Sequence, residues 1–220
     1  MLQLNDYWIL FCMAFGGMLL TSFIMSMLSM NFFTWDVVKK KFSIMDLEFP
    51  ATPRELVNVI KGLYKLPRPE ALTAIKALRW RLVINFLFMP FAYGSIFFLC
   101  MLVSAKMTTF GITFFIILAW LQLIPWVCDI IENIYLLRKI NPHPRLSKPA
   151  VHKTYLMMEI FKWGIALGSS ICAIAAVFYF WLSRDYGNRS ANFLLIIMGE
   201  IVLFVIFGKL FLKKKPKASS

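Results

Sequence analysis

Three polar residues fall within five positions of an apolar run, WVCDIIENIYLLRKI: Asp129, Glu132 and Asn133. A carboxylate facing lipid is costly, so these side chains turn toward protein or water. Gln122, Trp126, Asp129 and Asn133 follow helical spacing and share one stripe, with Glu132 one turn beside it. Matching groups stand at the ends of neighbouring apolar runs. Arg81 and Asn85, four apart, share a face, and so do Glu159 and Lys162, three apart. Two chemistries suit this set. One is a structural clamp, in which Asp129 or Glu132 pairs with Arg81 or Lys162 and ties helices together. The other is a binding site for a ligand, an ion or a lipid headgroup.

Glu200 is a second candidate. It lies nine residues from Ala191 and nine from Lys209, near the middle of the last apolar run. Burial in a low dielectric disfavours the charged form, so the expectation is a neutral, hydrogen-bonded carboxyl. A packing residue and a proton carrier are both consistent with that state.

Other residues carry weaker signals. Gly164, Gly168, Cys172 and Ala176 recur every four residues, a pattern that lets helix backbones approach closely. It serves packing within the chain or association with another membrane protein or a second copy. Pro90 and Pro125 sit where they would kink apolar helices. Cys12, Cys100, Cys128 and Cys172 lie in separate apolar stretches and read as small buried hydrophobes. His143 and His152 read as solvated loop residues, and no metal site or cofactor is indicated. The sequon Asn188-Arg189-Ser190 is too close to the membrane to count. The chain lacks HExxH, GxSxG and a phosphate-binding glycine loop, and no catalytic residue is assigned.

The elements that position these residues follow from composition. Hydrophobic residues make up 60% of the 220, against about 45–50% in soluble domains. A chain of this length has no interior large enough for that load, so lipid must cover it. Five segments reach the roughly 20 apolar residues of a spanning helix. They are 7–30, 82–105, 110–137, 155–183 and 191–212. Of the 24 Lys and Arg, 21 fall in the 31–81 loop, the 138–153 loop, the C-terminal tail and Lys162. Only Lys106, Arg184 and Arg189 fall on the other side. That asymmetry places the N-terminus outside and the C-terminus in the cytoplasm. The net charge of +13 therefore speaks for membrane topology rather than nucleic acid. The first span has no basic leader and is followed by Lys39–Lys41, so it reads as a retained anchor.

The cytoplasmic loop 31–81 has structure of its own. FSIMDLEF is a poor strand signal and reads as an extended surface segment. Thr52-Pro53-Arg54-Glu55 matches a capping box with proline in the first turn. The helix after it places Leu56, Val59, Ile60 and Leu63 on one face. A basic amphipathic helix beside a membrane usually lies in the interface; docking a partner is the competing use. A second helix starts near Pro69 and runs into the second span.

FSIMDLEFPATPRELVNVI, RLVINFLFMPFAYGSIF and WVCDIIENIYLLRKI, in that order, resemble a family of uncharacterised bacterial multi-spanning inner-membrane proteins. The resemblance covers roughly residues 42–140. Its most specific part is the D-x-x-E-N element, here Asp129, Glu132 and Asn133. The relatives place Asp in the second span where this chain has Asn85. The resemblance implies an inner-membrane location and attaches no activity.

The resulting expectation is an all-α integral membrane bundle: five transmembrane helices and a cytoplasmic amphipathic helix in a single domain, residues 1–220. The expected function is non-enzymatic, with the inner-leaflet polar cluster binding a ligand or headgroup or docking a partner. Membrane lipids and a homo-oligomer through the Gly164/Gly168 face are the expected partners. The alternative is a small ion- or proton-coupled transporter or channel using Glu200 and Asp129.

Overall fold

A computed structural model of the chain describes residues 4–186 and 189–212. The basic tail from Lys213 and Asn188 of the sequon lie outside the described residues. Eight helices and one hairpin follow in order: α1 Leu4–Ser29, β1 Phe33–Trp35, β2 Lys39–Lys41, α2 Met45–Glu48, α3 Pro53–Lys65, α4 Arg68–Ser104, α5 Thr109–Leu121, α6 Leu123–Lys139, α7 Pro149–Leu182 and α8 Arg189–Leu212. The protein is all-α, as its sequence implies. Five stretches are long and apolar enough to cross a membrane: Leu4–Ser29, Arg68–Ser104, Thr109–Lys139, Pro149–Leu182 and Ser190–Phe211. This is a multi-pass membrane protein.

The third span is interrupted once. Gln122 ends α5, and Pro125 in the first turn of α6 has no N–H to give to the preceding turn. Pro90, by contrast, lies inside an unbroken α4. That helix begins at Arg68 and runs from the loop into the span without a stop.

The chain divides into two compact units: Met1–Phe23, Leu87–Val127 and Lys162–Ser220 form one, Ile24–Phe86 and Cys128–Phe161 the other. They are called here the span unit and the loop unit.

The loop unit packs around α3. Thr52 Oγ1 accepts from the Glu55 N–H at 3.2 Å, and Glu55 Oε2 reaches back to the Ala51 N–H at 2.7 Å. Such a cap stabilises a helix by about 1 kcal/mol. The apolar face of α3 does not lie in the membrane interface. Leu56, Ile60 and Leu63 are buried in the chain's own core with Phe32, Phe42, Leu47, Leu78 and Leu136. The interfacial expectation is thereby corrected: the N-terminal extension of α4 and the 31–49 segment supply the apolar surface that lipid was expected to provide. FSIMDLEF is also not an extended surface segment. Phe42 stacks on Phe32 with ring centroids 5.2 Å apart, and Leu47, on the short helix α2, is fully buried. The hairpin β1–β2, paired Phe33 to Lys41, was not legible from alternation, because three lysines fill its second strand. Gly62 makes the join between α3 and β1. A Cβ there would strike Thr34 Oγ1 and come within 2.7 Å of the Trp35 carbonyl.

The span unit has an aromatic core. Trp8 is buried against Phe11, Tyr186 and Phe193, the last stacked at 5.7 Å. Cys100, Leu102, Val103 and Ala119 complete it without exposure. All four cysteines are free thiols. Cys172 is exposed, and neither Gly164 nor Gly168 has any atom within 4 Å of the Cβ it lacks.

Candidate carboxylate site

Three glutamates from three elements converge in the loop unit. Glu132 comes from α6, Glu159 from α7 and Glu48 from the end of α2. One carboxylate oxygen of each lies within 4.8 Å of the other two. Glu132 is 3% exposed, Glu159 0%, and Glu48 is half-buried. Tyr155, one turn before Glu159 on α7, stands among them. Its hydroxyl lies 3.2 Å from the Leu47 carbonyl and 3.3 Å from Glu132 Oε1, and donates its one proton to either. The fold places Glu48 here because Leu47, its neighbour, is anchored in the core.

Charge decides what such a cluster can be. Two negative charges about 5 Å apart repel by about 3 kcal/mol at an effective dielectric of about 20. Three of them persist only with shared protons or an added positive charge. Arg81 is within electrostatic reach of Glu48. Its Nη1 donates to the Met25 carbonyl at 3.0 Å and to Ser29 Oγ at 2.6 Å, capping the end of α1. The guanidinium also lies over the Phe32 ring, 5.9 Å from its centroid.

Beside the carboxylates is a neutral clamp. Asn85 Nδ2 donates to Asn133 Oδ1 at 3.1 Å, and Asn133 Nδ2 donates to the Leu82 carbonyl at 3.1 Å. Asn133 is 1% exposed. These two bonds lock α4 to α6. Asp129 is buried one turn before Asn133 on α6.

The remaining expected residues belong to the span unit. Gln122 is buried at the α5–α6 break, its Nε2 donating to the Leu118 carbonyl at 3.0 Å. Lys162 is buried on α7, 5.9 Å from the Trp163 ring. Glu200 lies on α8 with its carboxyl against Gly16 of α1. Thus Asn85, Asn133, Glu132 and Glu159 meet in one unit with Arg81 and Asp129. Gln122, Lys162 and Glu200 stand in the other.

Two members of the site, Glu48 and Tyr155, were not singled out from the sequence. The signal for Glu48 was present: an acid between Leu47 and Phe49 in an apolar segment. On an extended surface segment such a carboxyl would stay in water and need no partner. Tyr155 was indistinguishable from an interfacial aromatic.

The ligand atoms on offer are carboxylate oxygens, with a phenol and a backbone carbonyl beside them. Oxygen-only donors suit hard cations such as calcium, magnesium or manganese. Compared with known families, characterised proteins and solved structures, the chain matches none.

Proposed function

We propose that this multi-pass membrane protein is a non-enzymatic binding protein whose carboxylate site holds a divalent cation. One observation carries the reading: Glu48, Glu132 and Glu159 bring their oxygens within 4.8 Å of one another in a largely buried place. Three carboxylates this close favour a positive charge among them, and an oxygen-only donor set favours a hard cation. The amine of a lipid headgroup is the competing cation, and it would bring membrane lipids in as partners. Titration of calcium, magnesium or manganese into detergent-purified protein tests the proposal by calorimetry and melting temperature. Binding that raises the melting point, and is lost in Glu159→Gln, supports it. No response to any of the three metals, with phosphatidylethanolamine stabilising instead, would move the site to lipid.

The charge asymmetry supports a bacterial inner-membrane setting with the N-terminus outside, in line with the family resemblance. The loop unit then lies on the cytoplasmic side. Cysteine labelling tests it: Asn58→Cys and Ser147→Cys should react only after permeabilisation, Asp185→Cys in intact cells. Reaction of position 58 in intact cells would reverse the orientation.

A further inference from the structure

We propose that Glu200 is a proton-binding site within the membrane, seated against Gly16 and open to the lipid phase through a cleft between α1 and α8. Glu200 lies midway along the last span, which runs Ser190–Phe211. A Cβ built on Gly16 would come 2.7 Å from Glu200 Oε1, so a glycine is what leaves room for the carboxyl. The other oxygen, Oε2, is buried and makes no hydrogen bond. Beside it runs a cleft of about 210 Å³, walled by Leu19, Leu20 and Phe23 of α1 and by Leu203, Phe204 and Phe207 of α8. Leu20 and Leu203 are exposed, so the cleft opens on the surface these helices present to lipid.

An anionic carboxylate in that seat would lose its hydration and gain nothing for one of its two oxygens. A neutral acid loses far less, and an apolar wall is its natural surrounding. The titratable group within electrostatic reach from α1 is Cys12, one turn before Gly16. A separate cleft, lined by Leu99 of α4, Ile174 and Val177 of α7 and Ile197 and Ile201 of α8, is wholly apolar. Glu200 belongs to the span unit, so this inference does not depend on the carboxylate site in the loop unit.

Carbodiimides read both halves of the proposal. They add across a protonated carboxyl, the O–H proton passing to a carbodiimide nitrogen. The acyl group then shifts from oxygen to nitrogen and leaves a stable N-acylurea. Wild-type protein in lipid vesicles at pH 7 is treated with dicyclohexylcarbodiimide or with a water-soluble carbodiimide, and the adduct is located by peptide mass spectrometry. The apolar reagent should modify Glu200 and the water-soluble one should not. Gly16→Leu, which fills the seat and crowds the cleft, should slow the reaction. Infrared difference spectra should show a protonated-acid carbonyl band at pH 7 that is lost in Glu200→Gln. An ionised-carboxylate band lost in that variant would overturn the proton site. Equal labelling by both reagents, or a protonated band with no labelling, would overturn the lipid-facing cleft. If Glu200→Gln does not fold, adduct mapping on wild-type protein still decides.

Discussion

Polar side chains are used differently in the two units. In the span unit they bond their own helix: Thr21 to the Gly17 carbonyl, Ser95 to Ala92, Ser104 to Met101 and Gln122 to Leu118. In the loop unit some do the same, as Ser29 to Met25 and Thr73 to Pro69, but others bond across elements: Asn133 to Leu82, Asn85 to Asn133, Thr34 to Val59, Tyr155 to Leu47 and Arg81 to Met25. A hydroxyl bonded to its own helix is satisfied wherever that helix sits, so it fixes no neighbour. A bond between elements fixes register and angle. The comparison shows that hydrogen bonds between elements help to specify the geometry of the loop unit. The span unit is set by the shape of Trp8, Phe11 and Phe193, and by glycines that admit a ring or a carboxyl.

Substitutions at glycine should separate the units most sharply. Gly62→Leu drives a side chain into Thr34 and the Trp35 backbone, and overpacking of that kind costs about 3 kcal/mol. Chemical denaturation in mild detergent reads it. A stable Gly62→Leu variant would mean the α3–β1 join is looser than described.

Next comes the asparagine clamp. Asn133→Ala leaves Asn85 and the Leu82 carbonyl without their bonds, a loss of about 1–3 kcal/mol. Replacing both residues by Leu should recover part of that, because it removes both partners together. Equal destabilisation by the single and double changes would show that the pair contributes more than hydrogen bonding.

A smaller effect is expected at the carboxylate site. Glu132→Gln lowers the mutual repulsion. It should abolish the rise in melting temperature given by a divalent cation. An undiminished rise would place the cation elsewhere.

Smallest is Gly168→Ala, within about 0.5 kcal/mol of wild type, since nothing lies near the added methyl. The same open face bears on association. If two copies meet along Gly164 and Gly168, oxidation in membranes should crosslink the exposed Cys172 to its counterpart. Crosslinking that persists in Cys172→Ser would place any contact elsewhere.

By itself the sequence determined the all-α class, the five spans and the capping box at Thr52. The spans were legible because a run of about 20 apolar residues has one stable use in a membrane, and the box because three side chains within four positions satisfy a helix start locally. It also marked Asn133, Glu132 and Asp129, since polar residues in an apolar run are conspicuous wherever they point. Tertiary structure alone decided where α3 turns its apolar face. Periodicity says that such a face will be covered, not whether by lipid or by Phe32, Leu78 and Leu136. It alone recruited Glu48, more than eighty positions from Glu132 in the chain, because long-range convergence leaves no local pattern. It alone seated Glu200 on Gly16, for a glycine in a spanning helix reads the same whether it meets a helix, a ring or a carboxyl.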